Sequence, residues 1–490
     1  MAFKVFTFEL ISVIIDKNLK REDIFMKKTL TKGQMIRYCL SDIAKGLFNG
    51  MIGNYLLYFF QPTVKSGLPN LLPQNKLLGF ITIMALLTGI SKVVDAITDP
   101  WVASLSDRCT HKDGRRIPFM KWAAVPYALS VLMIFMAPFE QGSVANVIWV
   151  GFFLIMYYTS YTFFFIPRNA LVPEVIPDAK DRVGYYGIST AFFMGSSSFM
   201  YAATLFVNLI KDGFGVDSLA AWRIVFTVFA AIGLTCVLLG SSAFKEKDYV
   251  ESSVAPKQSL LKSAISIFQN KTFLTFFAGD LFSYISMAFF QTAMLYYITM
   301  LLNVPESQSF LVMISAIGVA LCLFPMIVKF SKKYGKKTML VIASVIFTIV
   351  FAFIFFGDKL AALVPGYELY LGLFMGIVVA FPFAAINILP QSVMSDIIQK
   401  DSIENGVNRE GIFSASKTFI EKVAYSVAMV VVSSVLAIGA PEGESVGMLG
   451  VKLTGIFAGL FSLVSLIFFI FYNEKSVTKF IDDHRKEGNK

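Results

Sequence analysis

Two aspartates four residues apart, Asp95 and Asp99, stand inside an apolar stretch covering residues 77–105, in the run Lys92-Val-Val-Asp95-Ala-Ile-Thr98-Asp99-Pro100. On a helix, positions four apart share a face. An ionised carboxylate in hydrocarbon costs about 3 kcal/mol on an insertion scale, and two on one face repel each other. A cation must meet them. Sodium or lithium does so because hard cations take carboxylate and hydroxyl oxygens, and a shared proton does so by neutralising one of the pair. The alternative is a structural ion pair, with Lys92 on Asp95 and Asp99 capping a neighbouring helix.

Other polar groups interrupt apolar stretches. Counting 1.5 Å per residue from the basic end of each stretch puts Asp42 at a depth of about 9 Å, Asp99 and Asp95 at about 12 and 18 Å, Thr162 at about 8–12 Å and Lys422 at about 15 Å. These groups occupy one slab, although depth alone does not show that they face each other. Phe163, Phe164 and Phe165 form an aromatic run that serves either as a platform for a sugar face or as packing. Arg168, at the end of the same stretch, reads as a cation reaching toward the membrane surface. With Lys422 it would instead bind an anionic solute such as a hexuronide or a sulfonated sugar. Asp280 lies at a depth like that of Asp42 and is expected to contact solute or to pair with Lys422.

The elements that must position these residues follow from composition. The chain has 490 residues, 56% hydrophobic and 16% charged, with a mean hydropathy of +0.67, which excludes an ordinary soluble domain. Apolar runs lie near 36–61, 77–105, 117–138, 145–167, 184–210, 220–243, 272–301, 308–330, 338–356, 367–392, 412–439 and 448–472. Each can cross a hydrocarbon layer of about 30 Å. They are continuous rather than alternating, so a membrane barrel is excluded. The expected fold is an all-α membrane protein of twelve transmembrane helices. Its expected divisions are a cytoplasmic N-terminal segment 1–35, a six-helix bundle 36–243, a polar linker 244–271 containing Pro256, a second six-helix bundle 272–472 and a tail 473–490.

Basic residues concentrate on one side. Arg108, Lys112, Arg115, Arg116 and Lys121 follow span two, Lys245, Lys247 and Lys257 follow span six, and Lys332, Lys333, Lys336 and Lys337 follow span eight. Both termini are thus expected in the cytoplasm, with the net charge of +10 directed at anionic lipid rather than nucleic acid. The punctuation repeats: Ser106-Asp107-Arg108 with Gly114-Arg115-Arg116 after span two, and Ser331-Lys332-Lys333 with Gly335-Lys336-Lys337 after span eight. Such loops cap helix ends and meet acidic partners, so Asp107, Arg108, Arg115, Arg116, Lys336 and Lys337 are candidate gating residues. Cys39, Cys109, Cys236 and Cys322 lack paired-ligand spacing, and His111 and His484 fall in cytoplasmic positions, so neither a metal cluster nor a histidine relay is expected. No phosphate-binding Gly-Lys-Ser or Gly-Lys-Thr loop occurs, which argues against a built-in ATPase, and no enzymatic site is expected. Met26-Lys-Lys-Thr resembles a natural start, so residues 1–25 are expected to be dispensable.

The repeated loop resembles the signature of the major facilitator superfamily, which implies two six-helix bundles around a central cavity and alternating access. More narrowly, Tyr38 to Phe60, Asp95 to Pro118, Tyr161 to Pro173, Asp181-Arg182 and Lys422 resemble the glycoside-pentoside-hexuronide cation symporters. The resemblance extends weakly over residues 34–475. It implies that Asp95 and Asp99 ligate the coupling cation, with Thr98 and Thr162 in the neighbouring oxygen positions. It also implies that Asp42 and Lys422 serve the solute. Phe165, Asn169, Thr190 and Asn387 stand where melibiose-type members carry an acidic residue, a tryptophan, an arginine and a tryptophan, so the sugar clamp is rewritten. The expectation is a carrier of the bacterial inner membrane, monomeric and free of cofactors. It would couple sodium or protons to a small sugar-like solute, with only membrane lipid as a further partner. A lysophospholipid or anionic-sugar carrier and a non-transporting sugar sensor are the alternatives.

Overall fold

The computed structural model describes residues 29–487, apart from 75, 78–80, 177–178, 250–270, 406–409 and 442–443. The N-terminal 1–25 and most of the linker therefore lie outside the described residues.

Among the described residues the chain forms twelve long helices. Span one begins at Lys32–Gly50, passes through a π-helical turn at Met51–Tyr55 and ends at Leu56–Phe60. Spans two, three and four are Ile83–Asp107, Ile117–Phe135 and Val144–Val175. Span five combines Ala179–Phe199 with Ala203–Phe214, and span six is Ser218–Ser241. The second set starts with span seven, Lys271–Tyr296 plus a π turn at Tyr297–Leu301. Spans eight to twelve are Glu306–Tyr334, Lys336–Phe355, Glu368–Asn405, Glu410–Leu436 and Met448–Phe471, and a tail helix Glu474–Glu487 follows. Local chemistry sets the first boundary. The Thr31 hydroxyl accepts from the Gln34 N–H at 3.3 Å and the Gln34 side chain accepts from the Thr31 N–H at 3.0 Å, a capping box that starts the helix before the apolar run does.

Spans four and ten run well past the ends at 167 and 392 that hydropathy predicts. Apolar composition reports the bilayer, whereas backbone hydrogen bonding continues into water. Nine of the spans are long and apolar enough to cross a membrane by composition. The other three, spans one, two and eleven, are the ones that carry Asp42 and Lys45, Lys92, Asp95 and Asp99, and Lys417, Glu421 and Lys422. These charges lower the mean hydropathy of the three helices, whereas spans four and seven absorb one buried charge each, Arg168 and Asp280.

The two sets of six are packed alike. Span one lies on five and six, span four on two and three, and span three on six. The same contacts recur as seven on eleven and twelve, ten on eight and nine, and nine on twelve. The halves meet where span two packs on eleven and span five on eight. Among the described residues, hydrogen bonds between the halves are found at Lys422 and toward the face opposite the basic loops. There the Tyr296 hydroxyl donates to the Gln61 carbonyl at 2.9 Å, Gln61 and Ser433 exchange two bonds at 3.1 and 2.9 Å, and Lys65 reaches Asn303 at 2.5 Å. The molecule is bolted shut on that face.

Candidate functional site

Span two presents Asp95 and Asp99 to span four and span eleven at once. The Thr162 hydroxyl lies 3.0 Å from Asp95 Oδ1 and 2.9 Å from Asp99 Oδ1, and its single proton serves one carboxylate at a time. Lys422 reaches across from the other half. Its Nζ is 2.5 Å from Asp99 Oδ2 and 3.3 Å from both oxygens of Asp95. On the far side Lys92 Nζ stands 3.8 Å from Asp95 Oδ2, over the Tyr158 ring at 3.8 Å from its centroid. Two carboxylates thus face two ammonium groups, and the cluster is neutral as it stands. The ammonium of Lys422 bridges Asp95 and Asp99, and the Thr162 hydroxyl bridges the same two carboxylates. That is hard-donor chemistry suited to a monovalent cation. Among the described residues no group of three or more His, Cys, Asp or Glu side chains is arranged to hold a metal ion.

Asp99 caps no helix, since its oxygens go to Thr162 and Lys422. Thr98 points elsewhere: its hydroxyl donates to the Asp95 main-chain carbonyl at 3.0 Å. This back-bonding to the preceding turn is ordinary for threonine in a helix, and it turns the oxygen away from the carboxylates.

A second cluster holds Asp42. Arg168 Nη2 and the Ser189 hydroxyl both donate to Asp42 Oδ2 at 2.6 Å. Arg168 also donates to the Tyr38 carbonyl at 3.3 Å, and the Tyr38 hydroxyl donates back to the Arg168 carbonyl at 2.9 Å. The guanidinium is 2% exposed and lies among the rings of Tyr38, Phe165 and Tyr185 at 4.9, 5.6 and 5.8 Å. Arg168 therefore does not reach toward the membrane surface, because a buried carboxylate one helix away offers its charge a short, desolvated pair. That pairing also consumes the charge an anionic solute would need.

Between the clusters runs an aromatic strip. Phe165 packs on Tyr161 with centroids 4.8 Å apart, and Lys422 stands 5.8 Å from the Tyr161 ring. Lys45, one turn from Asp42, lies 5.5 Å from the Phe165 centroid. The three phenylalanines divide: Phe164 and Phe165 are buried, whereas Phe163 stacks on Phe119 and meets Trp101 edge-on. Asn169, Thr190 and Asn387 are exposed, with Asn387 donating to its own helix at the Phe383 carbonyl. Asp280 is not paired with Lys422, whose ammonium is held by the span-two carboxylates.

The repeated loops are built on two glutamates that sequence reasoning missed. Glu246, just after span six, accepts from the backbone N–H groups of Arg115, Arg116 and Ile117 at 3.0, 2.9 and 2.9 Å. Glu474, just after span twelve, accepts from those of Lys336 and Lys337 at 2.8 and 3.0 Å. Each carboxylate fills the unpaired donors at the N-terminus of a helix. Gly114 and Gly335, at φ +120° and +92°, are required beside them, since a Cβ at either would strike the carboxylate. The side chains stay in their own half. Arg116 pairs with Asp107 at 3.0 Å and Glu174 at 2.9 Å, Arg115 with Glu174 at 3.2 Å, and Lys336 with Asp396 at 2.6 Å; Lys337 donates to the Ile470 carbonyl at 2.6 Å. Arg108 is exposed. The signal for the glutamates was present, as Phe244-Lys-Glu246 and Tyr472-Asn-Glu474 each end the last span of a half.

Comparison with known proteins agrees with this architecture. The chain is 24% identical over 362 residues to the putative glycoside/cation symporter YagG of Escherichia coli, covering 72% of this chain and 74% of the relative. It is 22% identical over 463 residues to a lactose permease of Leuconostoc lactis, covering 89% and 68%. The crystal structure of the nucleoside transporter NupG superposes with a TM-score of 0.61 at 13% identity, covering 89% of this chain and 98% of that one, which is a likeness of fold. A family model described as MFS/sugar transport protein matches residues 37–474. Two packed-alike halves, a buried charge cluster at their junction and this match over nearly the whole chain have one meaning: the protein is a member of the MFS/sugar transport family.

Proposed function

We propose that the protein carries a neutral sugar or glycoside by alternating access, driven by a monovalent cation that competes with Lys422 for the Asp95–Asp99 pair. The observation that carries this reading is the Lys422 ammonium, 2.5 Å from Asp99 across the junction of the halves. In a cation-free carrier Lys422 neutralises the pair and ties span eleven to span two. A sodium ion or proton arriving at the pair takes over that neutralisation and releases Lys422, so cation binding changes how the halves are joined. Solute binding that favours the released state gains affinity from the cation, and the cation gains the same factor from the solute.

A neutral solute suits the second cluster. Asp42 retains lone pairs for sugar hydroxyls, while Arg168 is already balanced by it. Names of the relatives, a glycoside/cation symporter and a lactose permease, support the same class. The excess of Lys and Arg in the loops after spans two, six and eight supports cytoplasmic termini in a bacterial inner membrane. The bonded face is then periplasmic.

Counterflow in proteoliposomes tests the proposal, using labelled neutral sugars, uronates and lysophospholipids with sodium, lithium or a pH difference imposed. Exchange of a neutral sugar or glycoside, stimulated by one of the cations, is expected. Exchange of uronates or lysolipids alone, or cation-independent accumulation, would overturn it.

A further inference from the structure

Among the described residues, Asp280 is a buried carboxyl with both oxygens unpartnered. It sits in the first third of span seven, 1% exposed, and neither carboxylate oxygen has a hydrogen-bond partner. Its counterpart Asp42 holds both Arg168 and Ser189. Charged groups acting on Asp280 are Lys417 and Glu421, both from span eleven. Among the described residues, spans ten and twelve and the π turn of span one, which also pack on span seven, bring no further charge to it, and Tyr284 lies one turn further along its own helix.

Lys417 is committed elsewhere. Its ammonium donates to Gln391 Oε1 at 2.8 Å and pairs with Glu421 at 3.5 Å. With Asp280 ionised the trio would carry a net negative charge, and the bare carboxylate would have no donor among the described residues. An unpaired ion in a membrane interior is neutralised rather than tolerated. A proton balances the trio: Asp280 becomes a neutral acid, while Lys417 and Glu421 neutralise each other. Sodium would need several further oxygen ligands, and on the neighbouring span twelve the Ser465 hydroxyl already donates to the Gly279 carbonyl at 2.8 Å.

We propose that Asp280 is a proton-binding site of the C-terminal half, separate from the span-two pair and protonated at neutral pH in this arrangement of the helices. The carrier would then hold one ionisable site in each half, the first shared with Lys422 and the second answering to Lys417 and Glu421. This inference needs only the geometry of spans seven and eleven, and survives a failure of the solute assignment above.

Infrared spectroscopy of the full chain in lipid nanodiscs tests it. Protonated carboxylic acids absorb as a carbonyl band apart from carboxylates and amides, and this band shifts in deuterated buffer. Wild type at neutral pH should show such a band, diminished in Asp280→Asn and retained in Asp95→Asn and Asp99→Asn. Raising the pH should convert it to a carboxylate signal in wild type. Because Asp280→Asn removes no hydrogen bond, its folding should survive, and its thermal melting should match wild type. Persistence of the whole band in Asp280→Asn, or its absence from wild type at neutral pH, would overturn the proposal.

Discussion

The two halves of this carrier share a scaffold and differ in their chemistry. Helix contacts recur from one half to the other, and so does the device that starts spans three and nine: a glutamate after the last span of the half, Glu246 or Glu474, aimed at backbone N–H groups beside a glycine of positive φ. The interior charges do not recur. Asp42 is paired with Arg168, whereas Asp280 at the matching place in span seven is bare. Span two carries two aspartates, and span eight, its counterpart, is apolar from Phe310 to Ile327. The scaffold is repeated between the halves, whereas the buried ionisable groups are arranged differently in each.

The sharpest break in this comparison should come from the span-two pair. Asp95→Asn and Asp99→Asn each remove one negative charge while keeping bulk, and should lower cation-driven accumulation at least about tenfold, the equivalent of about 1.4 kcal/mol of lost coupling. Downhill counterflow should persist. Uptake under imposed sodium and proton gradients measures both.

In stability, rather than in transport, the largest contrast is between the two buried aspartates. Asp42→Asn strands a buried guanidinium, a change that costs about 3–5 kcal/mol when one partner of a buried pair is removed. Asp280→Asn should leave stability near wild type, since no bond is lost. Thermal unfolding in detergent compares them, and the double change Asp42→Asn with Arg168→Gln should recover part of the loss.

Smaller effects are expected at the loops. Glu246→Ala removes a buried acceptor of three N–H groups and should cost about 2–3 kcal/mol, with Glu474→Ala, an acceptor of two, nearer to 1–2 kcal/mol. Equal losses at both positions would contradict the difference in bonding. Last comes Thr98→Ala, whose hydroxyl bonds only its own helix. It should change cation dependence by less than about 0.5 kcal/mol, well below Thr162→Ala, which removes the hydroxyl shared by both carboxylates.

Much of this was legible before any coordinates. Continuous apolar runs gave twelve helices, basic loops gave a repeat, and Asp95 with Asp99 stood out because carboxylates are costly in hydrocarbon. Depth counting put Asp42, Asp95, Asp99, Thr162 and Lys422 in one slab, but the structure sorts them into two clusters, with Asp42 on Arg168 and the others together. A rise per residue fixes depth and says nothing of the direction a helix faces. Arg168 was misread for the same reason, since position in the chain placed it near a surface and only the packing of spans one and four reveals Asp42 beside it. Ser189 carried no signal at all, being one hydroxyl among many in span five.

The account rests on Lys422 standing where the coupling cation goes, and one titration tests that directly. Half-saturating cation for stimulation of counterflow should be measured in wild type and in Lys422→Gln, purified side by side. Removing the tethered ammonium leaves the pair facing Lys92 alone, so a free cation should bind more tightly. The half-saturating concentration, or for protons the half-saturating acidity, should fall by about tenfold or more. An unchanged or higher requirement would show that Lys422 and the cation do not compete, and the Asp95–Asp99 pair would be a structural ion pair.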